Sequence, residues 1–249
     1  MNGDLVLVER PAERVATVTL NRPERRNALT GPLANELAEA IEQLNSDESV
    51  SVMVIRGAGG AFCSGLDLKE FNLDPQPDWV AGFGEMWQRV HRALFDSPAI
   101  VIGALERAAV NGGAALALAC DFLVVGESAF LQVGEIQQGM AAPMNMAWLR
   151  LRYSEALAGR IALLGDRIVG PELVRIGVAH TSVDDSDVLE AASELASRLA
   201  AHDPLGVRRI KTSLRRTGTE ATAEEWFAKA LAADPLAGRA MKPRAAEDS

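Results

Sequence analysis

Apolar and polar positions alternate through Leu5–Val8 and again through Val15–Leu20, the period of half-buried strands, with a turn expected at Arg10-Pro11 and an end to the hairpin at Asn21-Arg22-Pro23. The pattern then changes period. Leu33, Leu37, Ile41 and Leu44 recur at helical spacing behind Thr30, a side chain suited to capping, and Pro32, a residue suited to a first turn. Val50–Ile55 is an unbroken apolar run, read as a buried strand and closed by the glycine-rich Gly57–Gly60. Ala99–Ala104 and Phe122–Val125 read the same way. Asp78–Leu94 reads as one helix with Trp79, Phe83, Met86, Trp87 and Val90 on its apolar side. After Glu135 the periodicity is helical: Pro171 starts a helix through Ile176, and Val188, Leu189, Ala192, Leu195 and Leu199 mark another. Pro204–Leu214 is expected to turn Leu205, Val207, Ile210 and Leu214 inward and Arg208, Arg209 and Lys211 outward. The tail "MKPRAAEDS" is expected to be loose. Strands alternating with helices to about residue 135, then helices alone, predict an α/β protein with a helical C-terminal part.

Composition narrows the classes without choosing among them. A chain of 249 residues, 48% hydrophobic and 24% charged, is long enough for one large core. A net charge of −9 argues against nucleic acid or an anionic membrane as main partner, though not against a local basic patch for a phosphorylated ligand. Two cysteines, Cys63 and Cys120, are too few for a disulfide framework, and Cys63 has no metal-ligand spacing to anything nearby. The N-terminus lacks the basic-then-apolar form of a signal peptide, and no apolar run approaches about 18 residues, so a cytoplasmic protein is expected.

Two glycine-bearing turns carry the candidate chemistry. "AFCSGLDLKE" (61–70) follows the buried strand and its glycines, and "VNGGAALALACD" (110–121) opens a helix with Gly112 and Gly113. Glycine lets backbone approach a ligand, and a helix N-terminus presents unpaired N–H groups that favour negative charge. Side by side, two such turns make an oxyanion hole from backbone alone, where one donor is worth about 2.7–4 kcal/mol. A serine nucleophile at Ser64 is disfavoured, because "CSGLD" is not G-x-S-x-G and His91, His180 and His202 stand in no recognisable relation to it.

"NRPERRNAL" (21–29), "GAGGAFCSGLDLKEF" (57–71), "GGAALALACDFLVVGESAFL" (112–131) and "LLGDRIVGPELVRIGVAH" (163–180), in that order, resemble the crotonase superfamily, the enoyl-CoA hydratase/isomerase family. The resemblance implies a spiral of ββα units over about residues 1–195, a helical trimerisation region over 196–249, and a homotrimer or dimer of trimers. It also implies a coenzyme A thioester as substrate, with no metal and no separate cofactor. It assigns backbone N–H donors to Leu66 and to Gly112, the middle of the triplet Asn111-Gly112-Gly113. It lays Cys63, Ser64, Gly65, Asp67 and Leu68 along coenzyme A, with Arg26 near the phosphates, and Trp79, Phe83, Trp87, Ala115 and Met140 around the acyl group. The run at 137–149 departs from the family's small residues; there Met140, Met144 and Met146 either shape an adaptable apolar wall or fill a core.

In register with Ala119-Cys120-Asp121, the family's first catalytic glutamate falls on Ala115, which can move no proton. The second falls twenty residues later on Glu135, in "VGEIQQG", where Gly134 replaces the family's proline. One carboxylate suffices to take a proton from one carbon and return it to another, whereas hydration in the family's manner uses two. The resemblance therefore implies a 3-enoyl-CoA to 2-enoyl-CoA isomerase with Glu135 as general acid/base. Decarboxylation of a malonyl-type thioester, hydration with another polar group (Glu106 and Asp67 are the nearest acids in sequence), and acyl-CoA binding without turnover are the alternatives. At the C-terminus Lys242 and Arg244 offer no clear match to the family's basic pair.

Overall fold

The computed structural model describes residues 4–218 and 221–232. Lys242 and Arg244 lie outside them. The chain begins with strands β1 (Val6–Ala12) and β2 (Val15–Leu20), an antiparallel hairpin. The turn is not at Arg10-Pro11 but at Glu13-Arg14, with Arg14 in the left-handed region at φ 63°. Pro11 sits inside β1, where the register shifts between Glu9 and Ala12; β1 is an edge strand, so the missing N–H costs no ladder bond. Helix α1 (Gly31–Ser46) starts where Thr30 Oγ1 accepts from Leu33 N at 3.4 Å, and it buries Leu33, Leu37, Ile41 and Leu44. Each such side chain contributes about 1.5–3 kcal/mol by leaving water.

Strand β3 (Val52–Gly57) is followed by the one-turn helix α2 (Leu68–Phe71) and by α3 (Phe83–Phe95). The continuous helix expected from Asp78 is instead broken: a 3-10 turn spans Asp78–Val80, and α3 restarts after Gly82. Then come β4 (Ile100–Leu105), β5 (Ala108–Val110), α4 (Gly112–Ala119), β6 (Phe122–Gly126) and β7 (Phe130–Gln132). The remainder comprises α5 (Pro143–Arg152), α6 (Glu155–Leu164), β8 (Ile168–Val169), α7 (Gly170–Arg175), β9 (Thr181–Val183), α8 (Val188–Ala200), α9 (Pro204–Gly218) and α10 (Ala223–Ala232). The stretch after Glu135 is thus not purely helical; β8 and β9, two and three residues long, complete the sheets.

A six-stranded sheet runs β1-β2-β3-β4-β6-β9, parallel from β2 onward, and a three-stranded sheet runs β5-β7-β8. Alternation along buried strands sorts side chains to two cores. Val52, Val54, Ile102, Ala104 and Val124 meet Val188, Ala192, Leu195 and Ala196 of α8. Met53, Ile55, Val101, Leu105, Leu123 and Val125 join α1, α3, α4 and α5 in the larger core. Phe227 of α10 is fully buried in that larger core, 5.3 Å from Trp148 and 5.8 Å from His91 between ring centres.

Helix α9 departs from the expectation at most positions: Arg209 is exposed as expected and Val207 and Arg208 are half-buried, but the leucines, Ile210 and Lys211 are reversed. Leu205, Ile210 and Leu214 are exposed by 53%, 65% and 67%, while Lys211 is buried. The Lys211 ammonium lies 2.7 Å from Asp121 Oδ2 and donates to Ala99 O; Asp121 also meets Arg152, which donates to the last carbonyls of α4, Ala119 O and Cys120 O. Arg152, from α5, thus closes the C-terminal end of α4, whose dipole favours positive charge there. Among the described residues no helix is long and apolar enough to cross a membrane.

Candidate active site

The two glycine turns are laced together by backbone. Cys63 N donates to Ala108 O and Val110 N to Cys63 O, each at 3.1 Å, so the first turn runs parallel to β5. Gly65 is left-handed at φ 86°, and a Cβ there would stand 2.7 Å from Val110 O. A Cβ on Gly113 would run into the Cys63 carbonyl. Glycine is required at both places because the backbones touch. Leu66 is pinned from both sides, by Leu29 N donating to Gly65 O at 2.8 Å and Asp67 N donating to Leu29 O at 2.9 Å.

Asn111 caps α4 in a region unusual for a residue with a side chain, φ 50° and ψ −110°. Its N–H donates to Gln132 O and its Oδ1 accepts from Gly134 N, both at 2.8 Å, which ties the mouth of α4 to the segment carrying Glu135. Glu135 opens a 3-10 turn at Glu135–Gln138 and is only 8% exposed. Burial pushes its carboxyl up to about 7, against the opposing pull of its own backbone N–H and of the Asn145 amide. Asn145 Nδ2, on α5, donates to Glu135 Oε1 at 2.8 Å, while Glu135 Oε2 is buried with no partner.

These groups line one cavity of about 260 Å³. It brings together Ser64, Leu66, Leu68, Phe83 and Trp87 with Gly112, Ala115, Glu135 and Met140. Glu135 is the only ionisable side chain on its wall among the described residues. The Phe83 and Trp87 rings are parallel within 7°, their centres 6.4 Å apart.

Other expected site residues lie outside that wall. Trp79 faces away: its Nε1 donates to Glu70 Oε1, and its ring packs edge-on against Phe71 and Phe83. Cys63 is fully buried, its thiol pushed up to about 12 by burial, and only its backbone serves the turn. Gly65 shapes the turn from behind Leu66. Asp67 is enclosed by Arg25 at 2.7 Å and Arg22 at 3.3 Å while capping α2. Burial raises its carboxyl, but the Arg25 hydrogen bond, the Glu70 N–H and the two guanidinium charges outweigh that and hold it below the usual carboxylate range. Arg26 is exposed and left-handed at φ 50°, with its carbonyl accepting from Ser64 N at 3.1 Å. Glu106, the other nearby acid, faces Arg56 at 4.0 Å rather than the cavity. Ser64 Oγ donates to Arg25 O, and no histidine lines the cavity.

Sequence reasoning missed Asn145 and Leu231, both on the cavity wall. Asn145 is hidden in a methionine-rich run, and its partner is ten residues away. Leu231 comes from α10, 86 residues beyond Asn145, the next wall residue before it in the chain; no local signal marks it.

Fold and site together define a crotonase-type protein, two sheets and flanking helices around a cavity faced by paired glycine turns. The sequence matches the enoyl-CoA hydratase/isomerase family over residues 10–232, and the chain belongs to that family of enzymes acting on coenzyme A thioesters. It is 34% identical over 218 residues to a probable enoyl-CoA hydratase, EchA12, of Mycobacterium bovis, covering 84% of this chain and 76% of the relative. It is 32% identical over 209 residues to the 1,2-epoxyphenylacetyl-CoA isomerase of Escherichia coli, covering 82% and 80%. A monofunctional enoyl-CoA isomerase from M. smegmatis superposes with a TM-score of 0.74 at 30% identity, over 91% of this chain and 99% of that one.

Proposed function

We propose that the protein is a one-acid enoyl-CoA isomerase, converting a 3-enoyl-CoA to the conjugated 2-enoyl-CoA. The observation that carries this reading is that Glu135 is the one carboxylate on the cavity wall among the described residues, with a buried alanine, Ala115, at the position that the family resemblance gives to a second acid. Ionised Glu135 takes a proton from C2 of the bound thioester. The electron pair moves onto the thioester oxygen, where the N–H groups of Leu66 and Gly112 meet it; among the described residues no hydrogen bond engages either N–H. The proton returns from Glu135 to C4, and the double bond shifts from C3=C4 to C2=C3. Nothing is added or lost, so no second acid is needed to position water. A carboxyl near 7 suits a group that must give and receive a proton in one turnover.

Against the hydratase alternative, neither substitute acid lines the cavity: Asp67 is enclosed by Arg25 and Arg22, and Glu106 faces Arg56 at 4.0 Å. Arg26 remains our assignment for a coenzyme A phosphate, on its exposure beside the first turn. The exposed leucine and isoleucine face of α9 suits burial between copies of the chain, in line with a trimer.

Conjugated thioester absorbance tests the reaction. It should appear when the protein is given a 3-enoyl-CoA and fail to appear with Glu135→Gln. Rapid loss of absorbance from a 2-enoyl-CoA, with formation of the 3-hydroxyacyl product, would make the protein a hydratase and sink the one-acid argument.

A further inference from the structure

Asn145 lies between the two halves of the site. It is 1% exposed, and its single Nδ2 donates twice: to Glu135 Oε1 at 2.8 Å and to Asn111 O at 3.1 Å. The second acceptor matters because of where it sits in the chain. The carbonyl of Asn111 and the N–H of Gly112 belong to one planar peptide group, so a donor on that oxygen fixes the direction of that N–H. It also draws electron density from the amide, which makes the N–H a stronger donor. The same oxygen accepts from Ala115 N at 3.0 Å as the first bond of α4, so it is held from two directions.

We propose that Asn145 is a positioning residue that sets the acid/base carboxylate and the oxyanion peptide in one register. The inference rests on the roles given above to Glu135 and Gly112. Two further observations bear on it. Holding Oε1 leaves Oε2, buried and unpartnered, as the oxygen able to reach a substrate proton. Both lone-pair sites on Asn111 O are taken, so its peptide cannot turn when the thioester enters. The residue needed here is an amide: aspartate would lack the donor, and leucine would take the Asn145 donor from both acceptors, leaving Asn111 O with Ala115 N alone. Among the described residues no charged group lines the cavity opposite Glu135, and the Asn145 amide is the one side chain whose hydrogen bond acts on its carboxyl.

The test uses the full-length protein with Asn145→Ala and, to keep water out of the vacated space, Asn145→Leu. Two spectroscopic signals are read, and neither needs turnover. The first is the titration of Glu135 by carbon-13 NMR of labelled glutamate, assigned by its disappearance in Glu135→Gln. Removing a donor from Oε1 should raise the Glu135 midpoint in both variants. The second is the infrared carbonyl stretch of bound hexanoyl-CoA, a saturated thioester with nothing to isomerise. The wild type should lower that stretch, and the variants should lower it less. Turnover adds a third reading: kcat should fall by about tenfold to a hundredfold with KM little changed, short of the roughly 10²–10³ lost when an oxyanion donor is removed outright.

Movement of both signals supports the shared register. A shift of the carboxyl alone overturns it, because the amide then serves the acid only. If neither moves in a folded variant, Asn145 is packing and the inference is wrong. A wild type that leaves the thioester band unshifted sinks the reading of the site itself, whereas a shift equal in wild type and variant overturns only the role of Asn145.

Discussion

Replacing Glu135 with glutamine should abolish turnover and, above neutral pH, make the protein more stable. The buried carboxyl titrates at about 7 in the folded chain, against an ordinary 4.5. A raised folded value means that the folded state holds its proton where the unfolded state has released it. Its stabilising contribution is complete below about pH 4.5 and is lost as pH rises through about 7. The gap of 7 − 4.5, about 2.5 units at roughly 1.4 kcal/mol each, corresponds to about 3 kcal/mol at pH 8. At pH 5 most of that penalty is absent. Glutamine keeps an oxygen for the Asn145 amide and has no charge to bury, so the variant escapes the loss. Urea unfolding of wild type and Glu135→Gln at pH 5 and pH 8, at one protein concentration, isolates the term because every other group cancels in the difference. The stability difference should move by about 2–3 kcal/mol in favour of the variant between the two pH values. Parallel stabilities would refute the reasoning and would mean that Glu135 sits in ordinary solvent.

The same titration should appear in catalysis. As Glu135 must begin ionised, kcat/KM for a 3-enoyl-CoA measured on the wild type should rise with pH and reach half its plateau near pH 7; a flat profile between pH 5 and 8 would refute the assignment. Gly113→Ala drives a methyl group into the Cys63 carbonyl and pushes the two turns apart; thermal unfolding should register a loss of about 1–3 kcal/mol, and thioester affinity should fall with it. Lys211→Met removes a buried cation from Asp121 and Ala99 O but leaves Arg152 in place. Its unfolding midpoint should show a loss of about 2 kcal/mol, below the roughly 3–5 kcal/mol of a buried charge left wholly unpaired.

Long, strongly periodic segments of this fold are legible in the sequence. Thr30 and Pro32 mark the start of α1, and the apolar runs around Val52 and Val101 are the central strands. Where the reading fails, the deciding contact is distant. The periodicity of α9 announces two faces but not which one meets the protein. That choice is made by Asp121, ninety residues earlier, which takes Lys211 inward and leaves Ile210 outside. Strands β8 and β9 are too short to show a period, and exist because β7 and β6 offer them an edge. The site divides the same way. The glycine turns at 65 and 112–113 stand out in the sequence as places of close backbone approach, and Glu135 is found only through the family resemblance, twenty residues beyond Ala115. Trp79 fails as a wall residue because the break at Gly82 separates its 3-10 turn from α3, and its indole goes to Glu70. Asn145 acquires meaning only when α5 brings it to Glu135 and Asn111 at once.

Leu231 belongs to the last helix described, yet it completes a cavity whose other walls come from the first 145 residues. Helix α10 is fastened by Phe227 in the core and by Trp226 Nε1 donating to Ala147 O at 3.0 Å. The order of synthesis therefore matters to the order of assembly. While the chain is still leaving the ribosome, the glycine turns and Glu135 can be in place with the acyl chamber open on one side. The chamber closes only after α10 has emerged and docked, so a finished cavity certifies that synthesis has passed Leu231.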